Sequence, residues 1–501
     1  MDGVTGVTQC AIPAGTSFRY TFTITDQFGT YWYHAHAQAL NADGIAGPLI
    51  VHSPRDPLKR DVNYNRDMIV FIADWFHDTA ILAGQLSAAG YKNTTAAPSP
   101  NSALINGVGQ FNCQYADAGD ICGPNTGPLQ IQVEPKQRTR LRLIQAGSHA
   151  MFRVSVDNHP LTVVEADSTG VQAPQPVHRV PFHNGQRYSV ILDTTSDQAG
   201  SSFFLRAAMD TDCFAWLAPG INTTEGNTAL AIIHVVTSAS SSNSSSAQLP
   251  SQLPMTQDWP DVNATHGACI DLDPDTLSPL LSKDPETNVI GRVFYESSFG
   301  IVMTPNPSNP QNSQALGRFF VDNTTWTKTR AHSLAFVYKP LLQQFLSGGS
   351  QTVNSSQITA LTLSTQGTYD IVINNLDSGN GVDSSIVAQG SGQLTDSQAQ
   401  KLQYRTSNPM RRDTMVVRGG SYIVVRVPAY NPGVWILHCH ISFHLAAGFA
   451  GVIVMQPSEI AKMTLPAENQ ALCSAANPQN VENTTPGQIA STQRLRARRV
   501  R

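Results

Sequence analysis

Residues 438–449 read HCHISFHLAAGF, which puts three of the chain's fourteen histidines and one of its seven cysteines within seven positions. Alternate side chains of a strand point to opposite faces, so His438 and His440 share a face while Cys439 points the other way. One short segment can therefore feed two sites. Imidazole and thiolate together suit copper, zinc or iron, and two histidines with one cysteine and a weak or absent axial ligand form the blue-copper pattern of electron transfer. His444 follows Cys439 by five residues and Phe449 by ten, on a segment expected to loop back to the thiolate. A phenyl ring in the axial position cannot ligate, which raises the potential by destabilising the cupric state. The plainer alternative, a reactive or disulfide-bonded cysteine beside surface histidines, is disfavoured by the third, spaced histidine. His34 and His36, in YWYHAHAQAL, repeat the i, i+2 spacing and so also share one strand face. His52, His77, His149, His159, His178, His183, His234, His266 and His332 sit in no paired spacing and read as surface or hydrogen-bonded core groups.

The elements that position these residues read as short strands. Residues 17–25 (SFRYTFTIT), 31–36, 48–52, 68–75 (MIVFIADW), 129–133, 139–145, 151–156, 161–165 and 187–193 (RYSVILD) are separated by turn residues, a spacing that suits a sandwich or barrel. A Ser-rich linker follows (residues 239–253), and beyond it IVINN, YIVVRV, VWILHCH and GVIVM mark a second β-rich block. LAFVYKPLLQQFLS, from 334, reads as a helix interrupted by Pro340. At 501 residues the chain has length for two to four domains. Only 14% of residues are charged, with 36 Gly and 31 Pro, the balance of an all-β, loop-rich, extracellular protein. A net charge of −4 argues against a nucleic-acid or anionic-membrane partner, and no apolar run reaches the length of a membrane helix. Seven Asn-x-Ser/Thr sequons, at Asn93, Asn222, Asn243, Asn263, Asn323, Asn354 and Asn483, favour secretion. The opening MDGVTGVTQC holds no signal peptide, so the expectation is either a non-secreted protein or a true N-terminus upstream. The basic RLRARRVR at the end reads as a charged tail.

In HCHISFH and YWYHAHAQALNADGIAGPLIVHSP the chain resembles a multicopper oxidase of the fungal laccase and laccase-like group. Further stretches carry the likeness: MDGVTGVTQCAIPAG at the start, ALINGVG at 103, VDNHPLTVVEADS at 156, GQRYSV at 185, RRDTMVV at 411 and NPGVWILHCH at 431. The resemblance implies an all-β fold of three cupredoxin-like Greek-key domains. These would be a partial first domain over 1–60, a second over 61–238, the linker 239–253, a third over 254–475 with the type 1 copper motif, and a tail over 476–501. It implies Cys439 and His444 as type 1 copper ligands with Phe449 as the non-ligating axial neighbour. His438, His440, His34 and His36 would bind the paired type 3 coppers of a trinuclear cluster between the first and third domains. Asp2 matches an acidic residue that helps move protons to the cluster, and Cys10 and Cys473 match a disulfide; partners for Cys113, Cys122, Cys213 and Cys269 stay open. His178 aligns approximately with a substrate-contacting carboxylate of some fungal laccases. The implied reaction is one-electron oxidation of phenols or related small-molecule reductants with reduction of dioxygen to water, by a secreted monomer.

The pattern also breaks. The family has four copper motifs, and two are visible. The first would precede MDGV; the third would follow IVINN, yet no histidine occurs between His332 and His438. Residues 371–393 keep the flanks of that motif without its centre, and Asp377, Asp383 and Ser385 are poor matches for a cuprous–cupric couple. Six ligand positions remain: His34, His36, His438, Cys439, His440 and His444. The expectation is an impaired oxidase, written from an incomplete gene model rather than an evolved loss. A degenerate copper-binding glycoprotein, or a soluble ferroxidase- or ascorbate-oxidase-like enzyme, are the competing readings.

Overall fold

The computed structural model describes residues 3–13, 15–36, 40–77, 91–92, 97–117, 121–123, 127–237, 253–260, 269–306, 309–326, 340–346, 358–377 and 387–475. The Ser-rich stretch before Leu253 and the tail 476–501 lie outside them. The fold is all-β with a few short helices. The first block is small: β1 (Gly29–His34) pairs antiparallel with β2 (Ala46–Val51) from Gly29↔Val51 to His34↔Ala46. Residues 17–25, expected as a strand, form no ladder and leave Tyr20, Phe22 and Ile24 exposed. Alternation alone does not make a strand; the backbone needs a partner to bond.

The second block is a sandwich of an eight-stranded and a five-stranded sheet over one core that includes Ile72, Leu143, Phe152, Phe182, Tyr188 and Leu205. In the eight-stranded sheet β3 (Arg138–Gln145), β4 (Thr162–Ala166) and β5 (Arg187–Asp193) are neighbours, β4 pairing with β5 and β5 with β3. Tyr188, Val190 and Leu192 enter the core, so the alternating Arg187, Ser189 and Ile191 face the other way, beside Arg140, Arg142 and Glu165. That face is buried too, because the first block lies on it: Thr30 donates its N–H to Glu165 Oε1 (3.1 Å) and its hydroxyl to Glu165 Oε2 (2.6 Å). Gly29, at φ +114°, permits the approach, since a Cβ there would stand 2.5 Å from Glu165 Oε1.

The third block packs a six-stranded sheet, including β6 (Val289–Asn306), β7 (Asn309–Val321) and β8 (Thr368–Asn375), against a three-stranded one that contains β9 (Gly433–His438) and β10 (Ala450–Met455). Tyr295, Leu361, Ile371 and Ile453 fill the space between. Before entering this block the chain still covers the second: Trp259 donates to the Val156 carbonyl, Leu277 joins its core, and Ser278–Pro279 extends its sheet edge. The helix expected from 334 begins after Pro340, at Leu341–Leu346; residues 327–339 lie outside the described set. A proline is tolerated just before a helix, where no intrahelical N–H bond is lost.

Candidate metal centre

β9 delivers His438 at its end, with Cys439 and His440 next in the chain, and a short helix α1 (Ser442–Ala446) then turns it back. The return is closed by two backbone bonds, Cys439 N–H to the Phe449 carbonyl (3.1 Å) and Phe449 N–H to the His444 carbonyl (3.0 Å). Gly448, at φ +106°, makes the bend; a Cβ there would meet Thr325 Oγ1 and the carbonyls of Phe319 and Trp326. The result puts Cys439 Sγ 3.4 Å from His444 Nδ1. Phe319 packs on both rings of the return, 4.4 Å from His444 and 4.9 Å, stacked, from Phe449. In these apolar surroundings desolvation pushes the Cys439 thiol up to about 12 and the His444 imidazole down to about 3. Without metal the pair is a neutral thiol and a neutral imidazole, a state from which a soft cation can take the thiolate.

On the opposite side of the strand, four imidazoles form a rough rectangle. Within each chain segment the ring centroids of His34 and His36, and of His438 and His440, are 5.7 Å apart. Across the gap His36 lies 4.7 Å from His438 and His34 lies 5.1 Å from His440, with His36 Nε2 3.0 Å from His438 Nε2. Carbonyls fix two tautomers: Nδ1 of His34 donates to Ala35 (3.0 Å) and Nδ1 of His438 to Cys439 (2.8 Å), which leaves both Nε2 atoms as lone-pair donors. His440 Nδ1 is buried with no hydrogen-bond partner. Burial lowers the proton affinity of His34, and burial together with His34 and His438 lowers that of His440 further, so these rings are held neutral. Trp32 stacks on His34 at 4.3 Å, and a Cβ at Gly185 would stand 2.5 Å from His440 Cδ2. Neutral, aligned imidazoles with an orphaned ring nitrogen fit a late first-row cation such as copper. Among the described residues the donors come together as pairs, and no three His, Cys, Asp or Glu side chains converge on one point.

Asp2, Asp383 and Ser385 lie outside the described residues. Asp377 accepts the Phe299 N–H (2.7 Å), and Phe299 in turn packs edge-on against Phe319 beside the Cys439–His444 pair. Cys10 pairs with Cys473, and the open partners resolve as Cys113–Cys122 and Cys213–Cys269, leaving Cys439 the one cysteine outside a disulfide. His178 stacks on Trp259 at 3.7 Å, in neither histidine group. One neighbour carried no sequence signal: His149, whose N–H and those of Ser148 and Ala150 all donate to buried Asp74, lies edge-on to Phe443 of α1. Only the fold brings residues so distant in sequence together.

Comparison with known proteins identifies the family and the fold. Family models described as multicopper oxidase match residues 1–56, 66–236 and 323–459. Laccase-1 of Cryptococcus neoformans var. neoformans is 37% identical over 488 residues, covering 95% of this chain and 73% of that protein. Laccase-2 of Cryptococcus neoformans var. grubii is 36% identical over 489 residues, covering 95% and 77%. In fold, the laccase of Botrytis aclada superposes with a TM-score of 0.72 at 23% identity (97% of this chain, 80% of that one). Fet3p, a multicopper oxidase that functions in iron import, gives 0.71 at 24% (95% and 82%).

Proposed function

Because this chain belongs to the multicopper oxidase family, as a laccase-like copper oxidoreductase, we propose that its two ligand groups divide the family's work as its strand geometry divides them. Cys439 and His444 would hold the copper that accepts electrons from the reductant, and Phe449, whose carbonyl receives the Cys439 N–H, would stay non-ligating. His34, His36, His438 and His440 would hold copper on the dioxygen side. Copper, when bound, supplies one-electron oxidation of a small-molecule reductant and the reduction of dioxygen to water. The protein's part is positional. Cys439 is covalently continuous with His438 and His440, so the two groups are joined through a single residue of backbone. Phe319 packs on His444 and Phe449 and gives the Cys439–His444 pair an apolar flank, and the fixed Nδ1–H bonds keep the histidine lone pairs in place. Phenols and aromatic amines are the reductants that a one-electron acceptor of this kind fits.

The same ligand set imposes a restriction. With no histidine between His332 and His438, and donors that meet only as pairs among the described residues, this chain does not complete the family's cluster and is impaired in four-electron reduction of dioxygen. We assign it to the secreted, monomeric members of the group, on its sequons and three disulfides; among the described residues no helix is long and apolar enough to cross a membrane. The single observation that carries the function is the imidazole rectangle joined by one residue to a half-buried Cys–His pair. Visible absorption of copper-loaded protein with and without Cys439→Ser, alongside oxygen uptake with a phenol, tests it. The expected result is a thiolate-to-copper band that the substitution abolishes and feeble oxygen uptake; no band in the parent would sink the assignment of Cys439, and vigorous uptake would sink the impairment.

A further inference from the structure

β1 is a poor carrier for half of a metal centre. A two-stranded ribbon has little stability alone, so the rectangle requires that something fix β1 relative to β9. Thr30, fully buried and four residues before His34, is where the fixing happens. Its N–H and hydroxyl are held by Glu165, and its hydroxyl also accepts from Arg142 Nη1 (2.8 Å). Those contacts tie β1 to the second block alone. Its carbonyl accepts from Arg187 Nε (3.0 Å), and the same guanidinium goes further. Nη1 and Nη2 form a two-point bond to the Asp413 carboxylate (2.6 and 2.7 Å), in the segment that leads directly into the third-block strand Ser421–Pro428. Nη1 also donates to the Gly185 carbonyl (3.2 Å), and Gly185 is the wall against His440.

We propose that Arg187 is a positioning residue for the dioxygen-side histidines: one buried guanidinium joins the backbone of β1, the chain entering the third block and the turn behind His440, and so sets the distance between the two histidine pairs. The planar fork is what the task needs. Three acceptors in three directions are met by Nε, Nη1 and Nη2 at once, whereas a lysine ammonium is a compact charge on a flexible stem and cannot span them. The pair Arg187–Asp413 bridges 226 residues of sequence, and it is the contact of this set that crosses to the third-block segment.

The inference rests on the reading that the rectangle binds copper, and the test separates the two. The variants are Arg187→Lys, Arg187→Ala and Asp413→Asn, all in a Cys439→Ser background so that only the rectangle is scored. Hydrogen exchange of the peptide covering residues 29–36 is measured without metal, and cuprous-ion affinity by competition with a colorimetric chelator. The expected result is a cooperative thermal transition close to the parent's, exchange in 29–36 faster by tenfold or more with 138–145 unchanged, and cuprous affinity weaker by tenfold or more, with Arg187→Lys failing to rescue. Unchanged exchange in 29–36 overturns the proposal, as does faster exchange with parental copper affinity, the signature of a purely structural contact. If the parent binds no cuprous ion, the ligand reading fails, and the exchange arm alone then decides whether Arg187 holds β1. If Arg187→Ala does not fold, Arg187→Lys and Asp413→Asn, at the half-exposed end of the pair, decide between these outcomes.

Discussion

Replacing Gly448 by alanine is the sharpest perturbation of the thiolate loop. At φ +106° an L side chain is strained, which costs on the order of 1–3 kcal/mol before any contact is considered. The added methyl would also overlap Thr325 Oγ1 and press at 3.1 Å on each of two carbonyls, Phe319 and Trp326. Thr325 can rotate away; the carbonyls cannot, because Phe319 N–H bonds Ala447 O (3.0 Å) and Trp326 N–H bonds Gly448 O (3.2 Å) along the same seam. Overpacking of this kind adds roughly 1–3 kcal/mol, so the total is about 2–6 kcal/mol. The loop must yield, and with it the Phe449 carbonyl that receives Cys439 N–H. Two assays read this: the urea midpoint, and the rate at which a thiol reagent modifies metal-free Cys439, the one cysteine outside a disulfide. Gly448→Ala should lower the midpoint and speed modification by tenfold or more, and adding Thr325→Ala, which removes the overlapping oxygen, should leave most of the loss in place, since the backbone strain remains. A variant within about 0.5 kcal/mol of the parent, the ordinary scatter of neutral surface changes, with an unchanged thiol rate would refute the reasoning.

Gly185→Ala, at φ +83° and against His440, should cost about 1–3 kcal/mol and weaken copper at the rectangle while leaving the Cys439 absorption band intact, read by urea titration and spectroscopy. The His444 pKa is lowered to about 3 in the folded, metal-free protein, so below its unfolded value of about 6.5 the unfolded chain binds a proton that the folded one does not. Stability should therefore fall as pH drops from about 6.5 towards 3, and His444→Gln should flatten that slope by up to about 1.4 kcal/mol per pH unit in denaturant midpoints. Glu165→Ala strips the buried partner from Arg140 and from both donor groups of Thr30, and should cost about 3–5 kcal/mol by the same measurement.

Much of the arrangement of these histidines and Cys439 was legible in the sequence because its geometry is local. The i, i+2 pairs put His34 with His36 and His438 with His440 on shared faces, and the five- and ten-residue spacings anticipated the return of His444 and Phe449 to Cys439. What failed was non-local. Residues 17–25 alternate like a strand, yet alternation does not supply a hydrogen-bonding neighbour, and they stay unladdered. The pairings Cys113–Cys122 and Cys213–Cys269 could not be chosen from spacing, since connectivity is set by the fold. Arg187 read only as the first residue of a strand, and nothing near it in sequence announces Asp413 or Thr30 as its partners. The buried Asp74 beneath His149 was silent for the same reason.

The decisive measurement is copper counted per chain, after loading under conditions that metallate an intact laccase. We expect copper bound at Cys439–His444 and at the rectangle, short of the family's full complement of four. A full complement, stably held and turning over dioxygen with a phenol, would contradict an incomplete cluster.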